Sequence, residues 1–201
     1  MGCACSTSAA AAAAVSLLAA ELTEPRGQVV AIDQSNTAIK AATQCARGEN
    51  VSNIRFRMSA LDDFGDSDRF GMVLGRYVLI HHPDAAEFLK KAARFVRPDG
   101  RIAFHEVDMT SVLLSSPTIE LRDALGHDLL ARLQKACPES GVAGNMVPAF
   151  VSTGLGIPDM FCEIPISGWN TPLPELLINT LQRLSNDAER THFEDGSEIR
   201  F

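Results

Sequence analysis

The sequence has no excess of basic residues. Its 18 Lys and Arg stand against 25 Asp and Glu, a formal net charge of −7. That balance argues against nucleic acid as a main partner, because backbone phosphates are bound by a basic face. It disfavours an anionic membrane surface for the same reason. The five cysteines (Cys3, Cys5, Cys45, Cys137 and Cys162) form no C-x-x-C pair. An odd number without paired spacing argues against a disulfide framework or a zinc site, so reduced thiols and a cytoplasmic location are expected. Long apolar runs are lacking too. The longest begins at Ala9–Val15 and continues through Leu17, Leu18, Ala19 and Ala20, short of the roughly 20 residues that span a bilayer. No basic segment precedes it, as one would in a signal peptide. There is no internal repeat and no His/Asp/Glu spacing suited to a metal ion.

What is present is an alternation of short apolar runs and helical segments. Ala9 to Leu22 predicts a helix, since Ala and Leu are strong helix formers and Pro25 and Gly27 stop it. Gln28 to Ile32 reads as a buried parallel strand. Ser35 or Asn36 caps a helix to about Ala46. Ile54 to Met58 and Phe70 to Leu74 are strands, the latter ended by Gly75. Asp62 to Arg69 is a polar loop. A helix opens at Pro83-Asp84 and runs to about Val96, with Phe88, Leu89, Ala92, Phe95 and Val96 near one face. Arg97 to Gly100 is a turn, and Arg101 to Val107 is a fourth strand. Beyond Asp108, helices are predicted over 117–136, 147–153 and 174–184, and Met160 to Ile166 is a candidate strand. Strands alternating with helices imply a parallel sheet with right-handed crossovers.

Asp33 closes the first of these strands. An acid at that place in an open α/β sheet accepts hydrogen bonds from a ribose diol. By itself it does not separate a nicotinamide dinucleotide from S-adenosylmethionine, and a turn or helix-cap aspartate is the plainer alternative. Four segments narrow the choice: V-V-A-I-D at 29–33, M-S-A-L at 58–61, G-R-Y-V-L-I-H-H-P-D at 75–84 and F-V-R-P-D-G-R-I-A-F at 95–104. Together they resemble the class I S-adenosylmethionine-dependent methyltransferases, and V-P-A-F-V-S-T-G-L-G-I-P-D at 147–159 resembles the helix and glycine turn before that family's late strands. The resemblance implies an α/β fold: a Rossmann-like, doubly wound, mostly parallel sheet with flanking helices and a late antiparallel strand. It implies one domain over 1–201, with a cofactor half at 1–108 and a substrate side at 109–201. It implies S-adenosyl-L-methionine as cofactor and a small-molecule methyl acceptor. By the same resemblance Asp33 would hold the ribose hydroxyls and Gln34 would lie beside the adenine. Ser59, Ala60 and Leu61 would meet the adenine edge, with Ser59 standing where the family commonly has Asp. Gly75 and Arg76 would line the cofactor near its methionine part.

The family's first strand and its G-x-G-x-G loop have no counterpart in the residues before this stretch. Aligned back from Asp33, the loop falls on Ala9–Ala13; with an insertion, it falls on Gly2-Cys3-Ala4-Cys5, which keeps one glycine. The expectation is a fold without its first strand, as in an amino-terminally truncated or mis-started version of a longer enzyme. Two neighbouring strands would then lack a ladder partner. The same opening residues, Met1 to Ser6, also match the N-myristoylation pattern, with Cys3 and Cys5 open to palmitoylation. Two alternatives stand beside methyl transfer. One is a truncated, inactive methyltransferase-like protein. The other is an NAD(P)-binding oxidoreductase, which would need a glycine loop and a catalytic Tyr/Lys pair that the sequence does not offer.

For proton transfer the candidates are His82 and Glu106. His82 follows a strand whose end faces such a site and Glu106 lies at the end of the next one, and a base often assists methyl transfer to oxygen or nitrogen. His82 also suits a capping role before Pro83. His81 and His105 read as packing or surface residues, and His127 and His192 as surface; for Glu106 and Asp108 the alternative is a polar residue at the mouth that orients substrate. Trp169 reads as core or rim. Leu121, Leu125, Leu129, Leu130 and Leu133 read as the packing stripe of one helix.

Overall fold

A computed structural model describes residues 9–23, 27–65, 69–108, 115–136 and 141–163, together with 175, 178 and 179. Contacts divide the chain into two compact units, Met1–Tyr77 with Glu87–His105, and Val78–Ala86 with Glu106–Phe201. The opening hexapeptide, Asp66, Asp68, Trp169, His192 and the helix expected at 174–184 lie outside the described residues, apart from isolated helical positions at 175, 178 and 179.

The first unit is α/β. It holds α1 (Ala9–Leu22), β1 (Val29–Asp33), α2 (Asn36–Gly48), β2 (Ile54–Met58), β3 (Phe70–Arg76), most of α3 (Ala85–Ala93) and β4 (Val96–His105). β1 pairs with β2 in parallel, from Val29 opposite Ile54 to Asp33 opposite Met58. β3 pairs with β4 in parallel, with Gly75 opposite Phe104 and Arg76 opposite His105. A parallel pair needs a long crossover; α2 supplies the first and α3 the second. Ser35 caps α2, its Oγ accepting the Ala38 N–H at 3.2 Å. Ala38, Ala42, Cys45 and Ala46 then form the buried stripe at the helical repeat. α1 packs on α2 and touches β1, β2 and β3, and the Asn53 side chain donates to the Ala20 carbonyl at 2.8 Å. Among the described residues, β1 is paired on one side only, and so is β3.

Several expectations are corrected here. β3 does not stop at Gly75; it runs on to Arg76. The reason is packing. A Cβ on Gly75 would lie 2.2 Å from Phe104 Cε1, so the Phe104 ring occupies the place a side chain would take, and it meets Phe88 edge-on at 6.2 Å. Gly75→Ala must displace that ring. Overpacking of this kind costs about 1–3 kcal/mol, so the thermal midpoint of a chain of this length should fall by roughly 2–12 °C. A melting curve that matches the parent would refute this packing account.

The predicted turn at 97–100 lies inside β4, as an irregularity in the pairing between Phe70 and Met72, with Asp99 at φ 63°. α3 ends at Ala93, three residues before the Val96 predicted for it. The polar loop after β2 is tied down, not merely solvated. Lys91 pairs with Asp62 at 2.8 Å, and Phe64 packs edge-on against Phe95 at 5.2 Å. Cys45 is disulfide-bonded. This departs from the expected reduced thiols; Cys162 is a free thiol.

The second unit carries a 3-10 turn over Leu79–His81, α4 (Glu120–Ala136), a second 3-10 turn over Val142–Asn145 and α5 (Met146–Ser152). Leu79, Ile80, Leu129, Leu133, Val142, Met146 and Phe150 are its buried apolar residues. Of the predicted leucine stripe, Leu129 and Leu133 are buried, Leu125 and Leu130 are half-buried, and Leu121 alone is exposed, at 53%. α4 starts at Glu120 and not at Pro117. The Ile119 N–H is taken by Ser115 Oγ at 2.8 Å, and Ser115 donates its own N–H and hydroxyl to Asp123 Oδ1. The Ser115 hydroxyl is the main reason the Asp123 carboxyl titrates below its usual range. Its contribution to stability is present above the ordinary aspartate value and is lost as pH falls through the folded-state value. α5 closes on Gly154, whose φ of 80° is the left-handed conformation that helix ends favour. Residues 160–163 are irregular, so the late strand expected over Met160–Ile166 is absent from the described part of that segment. No helix among the described residues is long and apolar enough to cross a membrane.

Candidate functional site

The first group of site residues sits at the carboxyl ends of β1 and β2. Asp33 and Met58 are register partners, and the Ser59 N–H donates to the Asp33 carbonyl at 3.0 Å. The strand pairing therefore brings Asp33 and the Ser59–Leu61 segment side by side. Asp33 Oδ1 accepts the Ser35 N–H at 2.7 Å. The turn role weighed for this aspartate is thus real, and it holds the carboxylate in one orientation at the strand end. The Ser59 hydroxyl donates to the Ala60 carbonyl at 2.8 Å. With its proton so directed, the lone pairs of Oγ remain able to accept a donor. Gln34 is exposed, and Ala60 and Leu61 are half-buried.

Gly75 and Arg76 end β3 in the same unit. The Tyr77 N–H donates to the His105 carbonyl at 2.9 Å. The Arg76 guanidinium lies 4.5 Å from the Tyr77 ring centre, and the Tyr77 and His105 rings are 5.3 Å apart. Arg76, Tyr77 and His105 thus form one layered cluster at the ends of β3 and β4. Tyr77 has φ 54°, a rare conformation for a bulky side chain and one found at functional positions. Tyr77 belongs to none of the roles that the family resemblance assigns. Its available signal was its place: it is the only tyrosine of the chain and directly follows Gly75-Arg76.

The second group, His82 and Glu106, belongs to the second unit. His82 is half-buried and ends the Leu79–His81 turn, with its N–H donating to the Leu79 carbonyl at 3.0 Å. His81 is exposed. Glu106 Oε1 accepts the N–H groups of Val78 and Leu79, each at 3.0 Å, while Oε2 is buried without a hydrogen-bond partner. Burial pushes the Glu106 carboxyl above the usual glutamate range, and the Leu79, Val78 and Ile80 N–H groups pull the other way. The folded state therefore holds this proton more firmly than the unfolded chain does. The group favours folding in acid and withdraws that contribution as pH rises through its folded-state value. Among the described residues no cluster of His, Cys, Asp and Glu is placed to hold a metal ion.

Over residues 4–151 the sequence matches a family described as a methyltransferase domain. It is 31% identical over 119 residues to a ubiquinone biosynthesis O-methyltransferase of Alkalilimnicola ehrlichii, an alignment that takes in 58% of this chain and 45% of that protein. An uncharacterized 37.1 kDa protein of a Streptomyces fradiae transposon is 25% identical over 150 residues, or 74% of this chain and 41% of that one. The chain thus spans less than half the length of these curated relatives. Among solved structures, the YcgJ protein of Bacillus subtilis superposes with a TM-score of 0.50 at 18% identity, covering 83% of this chain and 71% of that chain. At that identity the likeness is one of fold.

Proposed function

The chain belongs to the methyltransferase-domain family, and from that premise we propose that it is a class I S-adenosylmethionine-dependent enzyme, transferring a methyl group from S-adenosyl-L-methionine to the oxygen, nitrogen or carbon of a small molecule. The observation that carries this reading is the pairing of Asp33 with the Ser59 segment at adjoining strand ends. The donor set fits the cofactor. An oriented carboxylate suits a ribose diol, and a hydroxyl with its proton already directed inward suits the amino group of adenine. In this reading Asp33 holds the ribose. Gln34, Ser59, Ala60 and Leu61 border the adenine, and Gly75 and Arg76 border the methionine part. The cofactor supplies, when bound, an electrophilic methyl on a sulfonium centre. The protein's share is to hold the acceptor in line and to take its proton, for which His82 and Glu106 are the candidates.

Isothermal titration calorimetry with S-adenosylhomocysteine tests the reading. Micromolar binding by the folded chain is the expected result. A folded chain that releases no heat across the millimolar range would sink it in favour of a methyltransferase-like protein without catalytic function.

A further inference from the structure

Glu106 is not arranged like a group waiting for a ligand's proton. Its Oε1 already accepts two backbone N–H groups, those of Val78 and Leu79. These lie at the start of the Leu79–His81 turn, where the turn's own hydrogen bonds leave N–H groups without acceptors. Its Oε2 is buried without a hydrogen-bond partner, an arrangement that burdens a fold. The carboxylate is therefore held in a poor environment for a charge, and what it does there is complete the turn. Leu79 and Ile80 are buried. The turn is thus fixed twice, by two apolar side chains and by one carboxylate oxygen that arrives from 27 and 28 residues further along the chain. His82 leaves directly from it, in extended backbone at φ −113° and ψ 128°.

We infer that Glu106 is a positioning residue, whose Oε1 fixes the Val78–Leu79 backbone and, through that turn, the direction in which His82 presents its imidazole. The two proton-transfer candidates then have different tasks. His82 meets the acceptor, and Glu106 acts only through the turn. The role given to His82 rests on the methyltransferase reading, whereas the clamp stands on the hydrogen bonds alone.

The test is amide hydrogen exchange by NMR on the full chain, together with the His82 ring 1H–13C signal. Glu106→Ala removes the acceptor. Exchange at Val78 and Leu79 should rise at least roughly tenfold, the His82 signal should shift, and the amides of α4, in the same unit, should keep their rates. Glu106→Gln keeps a carbonyl oxygen at the same place. It should restore both readouts, with exchange within about threefold of the parent, as expected if the acceptor and not the charge is what matters. The clamp is overturned if the Gln variant loses protection as fully as the Ala variant. It is also overturned if the Ala variant changes neither exchange nor the His82 signal. Should the Ala variant unfold, seen as fast exchange in α4 as well, the Gln variant decides alone. A parallel titration with S-adenosylhomocysteine separates the two claims, because absent binding in the parent strikes the proposed function and leaves the exchange result standing.

Discussion

Asp33→Ala should weaken S-adenosylhomocysteine binding by roughly ten- to a hundredfold. Hydrogen bonds to a charged acceptor contribute about 1.5–3 kcal/mol, and each 1.4 kcal/mol or so is a factor of ten in affinity. Asp33 is placed to make such bonds because β1 ends on it, beside the Ser59 segment, with one carboxylate oxygen already steadied by the Ser35 N–H. That same hydrogen bond offers a second route to lost affinity, through the start of α2. Ser35→Ala separates the two. It removes the cap on the Ala38 N–H, which costs about 1 kcal/mol of stability, and it should leave affinity within about threefold, because it removes no bond to the ligand. Asp33→Asn, which keeps a neutral acceptor, should fall between. Calorimetry on the three variants decides. An Asp33→Ala chain that binds as the parent does would remove the carboxylate from the site.

Gly100→Ala should be the most damaging single methyl that can be added in the first unit. The new Cβ would stand 2.6 Å from Val96 Cγ1, 2.9 Å from the Arg97 carbonyl oxygen and 3.0 Å from the Gly71 carbonyl oxygen. At Gly75 the obstacle is an aromatic ring, which can rotate. At Gly100 two of the three obstacles are backbone atoms, in the segment that joins β4 to β3 across its pairing irregularity. Relief therefore means moving a strand. The expected loss is about 3 kcal/mol, the upper end for overpacking and a large share of the roughly 5–15 kcal/mol that holds a domain folded. Denaturant titration should show an earlier midpoint than in Gly75→Ala. The reverse order would show that the 97–100 segment yields freely, and the packing account of this turn would fail.

Much of the first unit was legible in the sequence. The limits of α1 follow from Ala and Leu propensity and the Pro25 and Gly27 stop signals, and the structure ends the helix at Leu22 as predicted. β1 and β2 came from short Val- and Ile-bearing runs, and α2 from the Ser35 cap. Asp33 could be named because it closes a strand, and Ser59 because the 58–61 segment carries the family resemblance; parallel pairing of β1 with β2 sets them side by side. The reading faltered where a distant residue decides. Gly75 looked like a strand end because glycine usually punctuates, yet β3 passes through it to make room for Phe104. The run at 101–107 looked like strand to its end, yet β4 stops at His105, and Glu106 turns to serve the Val78–Leu79 amides. Tyr77 carried no local signal of its left-handed backbone, and Cys45 none of its disulfide.

The division has a physical cause. Helix propensity, capping and strand periodicity act within a few residues, so the sequence alone determined the order of elements, the parallel pairing and the acid at the end of β1. Ring packing across strands, a carboxylate reaching back 28 residues to a turn and the lack of room for a methyl at Gly100 depend on atoms that meet only when the chain has folded. Those contacts, decided by the tertiary structure, give Gly75, Gly100 and Glu106 their roles.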